Sequence, residues 1–147
     1  MHVGDVMTHQ PVRIPVTSDL HAAAELVARS GVSDLMVVDE CDTFVGVLSE
    51  GDILRAAMPD LDEIRAEGGS LADAFALFVQ KGQALAQRPI LPLVIREPIV
   101  LNPSDHVTAA AIILIDKMIR RLPVVADGKL VGVVARADVC RAVVGMG

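Results

Sequence analysis

The sequence predicts an α+β fold: two βαββα units packed as a pseudo-two-fold pair, with a helical segment inserted between them. Three observations point there. The chain repeats itself, because adding 87 to each position lays Asp5–Val38 on Pro92–Val125 without a gap. Within each copy the apolar spacing switches between helical and strand periods. Residues 59–89 belong to neither copy, which gives unit 1 as 1–58, the insert as 59–89 and unit 2 as 90–147.

In unit 1, Asp5-Val-Met-Thr8 leads into a short first strand at Pro11-Val12. Thr17-Ser18 precede Leu20, Ala23, Ala24 and Val27, which share one helical face, and Gly31 ends that helix. Leu35–Val38 and Phe44–Leu48 are β-rich runs on either side of a polar turn, and read as a hairpin. The acids in that turn, Asp39, Glu40 and Asp42, read as solvated turn formers. A second helix begins near Asp52 and runs through Ala57.

The insert opens with a short acidic helix or turn, Pro59–Ile64, broken by Gly68-Gly69. Ser70-Leu-Ala-Asp73 then forms a capping box for a helix reaching about Gln87. Its stripe of Leu71, Phe75, Phe78 and Leu85 either covers the module's own core or serves as a dimer contact or lid. In unit 2, Ser104 and Asp105 start a helix carrying Val107, Ala110, Ala111, Leu114 and Met118. One residue fewer in the hairpin turn changes the offset to 86, so Gly46 meets Gly132 and Asp52 meets Asp138. A lone copy would leave one sheet face bare, so the two copies pack against each other.

Composition narrows the function. The 147 residues are 52% apolar, yet no run approaches the roughly 18 residues of a membrane helix. The N-terminus lacks a secretory leader pattern, so a soluble, cytoplasmic protein without membrane insertion is expected. Cys41 and Cys140 have neither paired nor metal spacing, and suit a reducing compartment. The formal charge of −6, with no Trp or Tyr, argues against nucleic acid. The charge is uneven: residues 1–91 carry 6 Lys/Arg against 14 Asp/Glu, and residues 92–147 carry 7 against 5. His2, His9, His21 and His106 lack ligand spacing, so no metal is expected. No nucleophile, base or paired-carboxylate set stands out, so neither enzymatic activity nor a catalytic cofactor is expected.

The repeated turn remains. Gly46-Val-Leu-Ser-Glu-Gly-Asp52 returns as Gly132-Val-Val-Ala-Arg-Ala-Asp138. Ser49-x-x-Asp52 is itself a helix-start pattern that needs no ligand. Ala135 cannot cap, however, yet Asp138 is kept, which leaves either a task for the acid or simple helix-dipole favour. A glycine permits close approach to the backbone, a helix N-terminus offers N–H groups to an anion, and a carboxylate can accept from both ribose hydroxyls. Those parts suit a nucleotide, although the spacing is neither a Walker loop nor GxGxxG.

With Asp5-Val-Met-Thr8, Val37-Val-Asp39 and Leu122-Pro-Val-Val125 added, the pattern resembles a tandem cystathionine-β-synthase (CBS) domain pair, or Bateman module, over all but the insert. The resemblance implies a regulatory sensor that binds an adenosine nucleotide (AMP, ADP or ATP) between the copies, less often S-adenosylmethionine or an NAD-type ligand. It also implies a homodimer of modules and an unidentified regulated protein; a ligand-free structural module is the alternative. Carried over by position, it defines two clefts. Cleft A, the favoured one, combines Val47, Ser49 and Asp52 with Val94, Ile99, Ile119, Arg120 and Arg121. There the apolar residues sandwich adenine, Asp52 takes the ribose, and Ser49 and the arginines meet phosphate. The arginine pair could equally be a solvated helix C-terminus. Cleft B combines Val133, Ala135 and Asp138 with Met7, Val12, Val32, Ser33 and Asp34, and Arg136 is its only expected cation. Lacking the hydroxyl and facing Asp34, cleft B is expected to be empty or to hold a less charged ligand.

Overall fold

A computed structural model describes residues 1–145. Unit 1 contributes α1 (Val3–Val6), β1 (Arg13–Pro15), α2 (Leu20–Ser30), β2 (Asp34–Val38), β3 (Phe44–Ser49) and α3 (Glu50–Ala57). The insert forms α4 (Leu61–Ala66) and α5 (Leu71–Leu85). A 3-10 turn at Leu91–Leu93 leads to α6 (Val107–Asp116), β4 (Arg121–Ala126), β5 (Lys129–Ala135) and α7 (Arg136–Val144).

In unit 1 the strands lie in the order β1-β2-β3, with β1 parallel and β3 antiparallel to β2. Unit 2 keeps the β4-β5 hairpin, but its expected first strand shrinks to one parallel bridge, Leu101 with Val124. That bridge falls one repeat on from the Ile14–Val37 pair. Proline explains the loss. Val16 N donates to Val38 O at 2.8 Å, and the equivalent residue, Pro103, has no N–H to give.

The caps sit one or two residues later than the sequence suggested. Asp19, rather than Thr17-Ser18, accepts from Ala22 N at 2.8 Å to start α2, and Gly31 closes it with φ +71°. His106, not Ser104 or Asp105, accepts from Thr108 N at 3.1 Å to start α6. The Asp105 carboxylate is already taken by Asn102 N at 2.8 Å. Met118 lies beyond α6, at φ +54°.

The two copies exchange their leading segments. One core gathers Ile14, Leu20, Leu35, Val37 and Leu48 of unit 1 around Ile90 and Val94. The other gathers Leu101, Leu114, Leu122, Val124 and Val134 around Val3. Val3 N donates to Asp105 O at 2.8 Å, and Ile90 N to Ser18 O at 3.1 Å. Two antiparallel bridges a repeat apart complete the exchange, Thr8 with Val133 and Ile95 with Val47. A third apolar cluster, Met36, Val38, Leu130 and Val133, joins the two sheets.

Insert helix α5 divides along its length. Leu85 packs on the first core and Phe78 is half-buried, with both lining a groove of about 360 Å³ between α5, α2 and α3. Leu71 and Phe75 at the other end project into solvent, 91% and 68% exposed. The stripe therefore covers the core through its C-terminal half alone.

Candidate functional site

Cleft A is an open cavity of about 480 Å³ between the copies. The end of β3 and the start of α3 supply Val47, Ser49, Glu50, Gly51 and Leu54. The exchanged segment and its continuation supply Ile95, Pro98 and Ile99, and the entry to β4 supplies Ile119, Arg120 and Arg121. Ile95 and Ile99 are about half exposed, so apolar surface faces solvent there. Arg120 is 3.9 Å from Glu50, an exposed pair spanning the copies. A mouth with two guanidinium groups and apolar walls can take a flat apolar ring carrying an anionic tail.

Two expected members of cleft A sit behind its wall. Val94 is buried in the first core, because the 3-10 turn directs it inward and leaves Ile95 facing the cleft. Asp52 is one-fifth exposed and already engaged. Its carboxylate accepts from the Ser49 hydroxyl at 2.7 Å, from Ser49 N at 3.4 Å and from Arg55 at 2.5 Å. Burial alone would raise its pKa, but the hydrogen bonds from Ser49 and Arg55, then the Arg55 charge, outweigh it and hold the carboxyl below the ordinary aspartate range. Ser49 meanwhile accepts from Asp52 N at 3.1 Å, so the capping box is formed.

The second turn explains why its acid survives without the serine. Asp138 accepts from Ala135 N at 2.8 Å, which is half a capping box and needs no hydroxyl. It also accepts from Arg141 at 3.2 Å and from the Thr8 hydroxyl at 3.5 Å, and is 6% exposed. Arg55 and Arg141 are themselves one repeat apart, so acid and arginine were duplicated together. The paired glycines answer to the exchange. A Cβ on Gly46 would lie 2.2 Å from Ile95 O, and one on Gly132 would lie 2.5 Å from Met7 Sδ and 2.9 Å from Thr8 O.

Cleft B is smaller, about 240 Å³, and Val12, Val32, Asp34, Val133, Ala135 and Asp138 line it. Three expected members stand elsewhere. Met7 packs on the second core beside Gly132. Ser33 lines cleft A. Arg136 turns away, donating at 3.1 Å each to Leu114 O in the last turn of α6, whose carbonyl end it caps, and to Ile119 O just beyond the helix. The cation lining cleft B is instead Arg121. Sequence reasoning missed Ile95 in cleft A and Thr8 in cleft B, although they are repeat mates and one lies in the Asp5–Thr8 motif. No group of three or more His, Cys, Asp or Glu side chains converges on a metal-sized site among the described residues. No described helix is long and apolar enough to cross a membrane.

The CBS domain family model matches this chain twice, at residues 3–59 and 90–145. The CBS domain-containing protein CBSX2, chloroplastic, of Arabidopsis thaliana is 33% identical over 154 residues, covering 95% of this chain and 62% of that protein. This chain thus spans less than two thirds of that relative. The uncharacterized protein MJ1426 of Methanocaldococcus jannaschii is 25% identical and 92% covered. The crystal structure of CBSX2 in complex with AMP superposes with a TM-score of 0.73 at 31% identity, over 98% of this chain and 96% of that one. The CBS domain pair of protein MJ0100, solved with 5-methylthioadenosine and S-adenosyl-L-methionine, gives 0.68 at 21% identity over 100% and 98%, a likeness of fold alone.

Proposed function

Because this chain belongs to the CBS domain family, we propose that it is a non-enzymatic regulatory module that binds an adenosine nucleotide in cleft A and signals by shifting the two copies relative to each other. The observation that carries this reading is the composition of that cleft: apolar Val47, Ile95, Ile99 and Ile119 beside Arg120 and Arg121. Its volume falls in the range of roughly 300–1,000 Å³ usual for small-ligand sites. Adenine lies between the apolar walls and phosphate takes the arginines. Asp52 binds the ribose by exchanging Arg55, whose side chain is 71% exposed and held by a pair worth little in water. AMP bound to CBSX2 supports the ligand class.

The ligand touches both copies, so it moves their equilibrium by as much as it prefers one arrangement. Exposed Leu54, Met58, Ile112 and Ile115 support assembly into a homodimer. The free, exposed Cys41 and Cys140 support a reducing compartment such as the cytoplasm.

Thermal melting with millimolar AMP, ADP, ATP, S-adenosylmethionine and NAD tests the function. An adenosine nucleotide at a hundred times its Kd is expected to stabilise by about 2.7 kcal/mol. Asp52→Ala is expected to abolish the shift and Asp138→Ala to leave most of it, each measured against its own ligand-free midpoint. A response to none of the five would favour a ligand-free structural module.

A further inference from the structure

Among the described residues, two line both clefts, and they are each other's repeat mates: Asp34 and Arg121. Each opens the second strand of its unit, Asp34 paired with Ser49 and Arg121 with Ala135, so the repeat brings them to the boundary between the clefts. One is an acid and the other a base. We propose that Arg121 is a phosphate-binding cation shared by the two clefts, with Asp34 as its opponent, so that the module holds one phosphate-bearing ligand at a time. This rests on the nucleotide reading above, and adds its stoichiometry and the residues that set it.

Electrostatics gives the order of filling. Cleft A has a second guanidinium, Arg120, whose only carboxylate partner within 4.0 Å among the described residues is exposed Glu50 at 3.9 Å. Cleft B has no second guanidinium: the repeat mate of Arg120 is Ser33, which lines cleft A and whose hydroxyl donates to Asp34 Oδ2 at 3.1 Å, and Arg136 is committed to the end of α6. Cleft B is therefore left with Arg121 against Asp34 and Asp138. Arg121 itself has no carboxylate within 4.0 Å among the described residues, so its charge is available to a ligand. Once a phosphate in cleft A takes that charge, an anion entering cleft B meets the Asp34 carboxylate with no cation beside it, and Asp138, whose charge is already paired with Arg141 at 3.2 Å. Like charges brought together in a partly desolvated cleft repel each other.

Titration calorimetry of the whole chain with AMP reads this directly. The wild type is expected to bind one AMP per chain. Asp34→Asn removes the opposing charge with little change of shape, and is expected to raise the stoichiometry toward two. Arg121→Gln is expected to weaken AMP at least tenfold, and Arg121→Lys to recover part of that loss; melting curves without ligand confirm that each variant is folded. Two equivalent AMP sites in the wild type, or a stoichiometry fixed at one in Asp34→Asn, overturns the shared-cation inference while leaving the nucleotide reading intact. No AMP binding by the wild type overturns both.

Discussion

Gly46→Ala is expected to destabilise the protein by about 3 kcal/mol. The added methyl would lie 2.2 Å from Ile95 O and 2.7 Å from Val94 Cγ1, and the first of these is backbone. Relief requires the exchanged segment to move. That breaks the two hydrogen bonds between Val47 and Ile95, at 3.1 and 2.9 Å, that stitch it to β3. Gly132→Ala is expected to cost less, because the nearest atom there is the sulfur of flexible Met7. Gly82→Ala is the control: nothing lies within 4 Å of a Cβ there, in the C-terminal part of α5, so replacing a helical glycine should stabilise by about 0.5–1 kcal/mol. Urea denaturation of the three variants checks the ranking. Equal effects at Gly46 and Gly82 would mean that the β3 glycine has no close neighbour.

Ile90→Ala is expected to cost about 2–5 kcal/mol. Ile90 is completely buried, but among side chains of the other copy, with Leu20, Leu35 and Leu48 around it. Its neighbour Leu91 is 39% exposed, so Leu91→Ala should stay within roughly 0.5 kcal/mol of wild type. Because the cores exchange segments, loss at residue 90 should weaken the whole chain in a single transition. Separate melting of the two copies after Ile90→Ala would show that the exchange does not couple them.

The α+β class and the paired copies were legible because duplication places every diagnostic residue on the page twice. The repeat brought Gly46 into phase with Gly132 and Asp52 with Asp138. What the repeat could not reveal was which copy's core each segment joins. Val3 and Ile90 read as ordinary apolar residues, and their exchange emerges only from three-dimensional packing. Cleft residues on strands and strand entries were placed correctly by position from the family resemblance: Val47, Ser49, Ile119, Arg120 and Arg121 all line cleft A. Polar side chains with a choice of partner were not. Arg136 went to the carbonyls of Leu114 and Ile119, 22 and 17 residues away, which sequence spacing does not announce. Asp52 turned to Arg55, an i,i+3 neighbour on α3 that the spacing offered and sequence reasoning missed. The shortened first strand of unit 2 was signalled by Pro103, whose missing N–H only matters once its partner strand is known.

The most direct measurement is a crystal structure grown with AMP. It should contain the purine between Val47, Ile99 and Ile119, its phosphate on Arg120 and Arg121, and the ribose hydroxyls on Asp52 in place of Arg55. Density for the nucleotide in neither cleft, with the 480 Å³ space filled by the protein's own side chains, would contradict it.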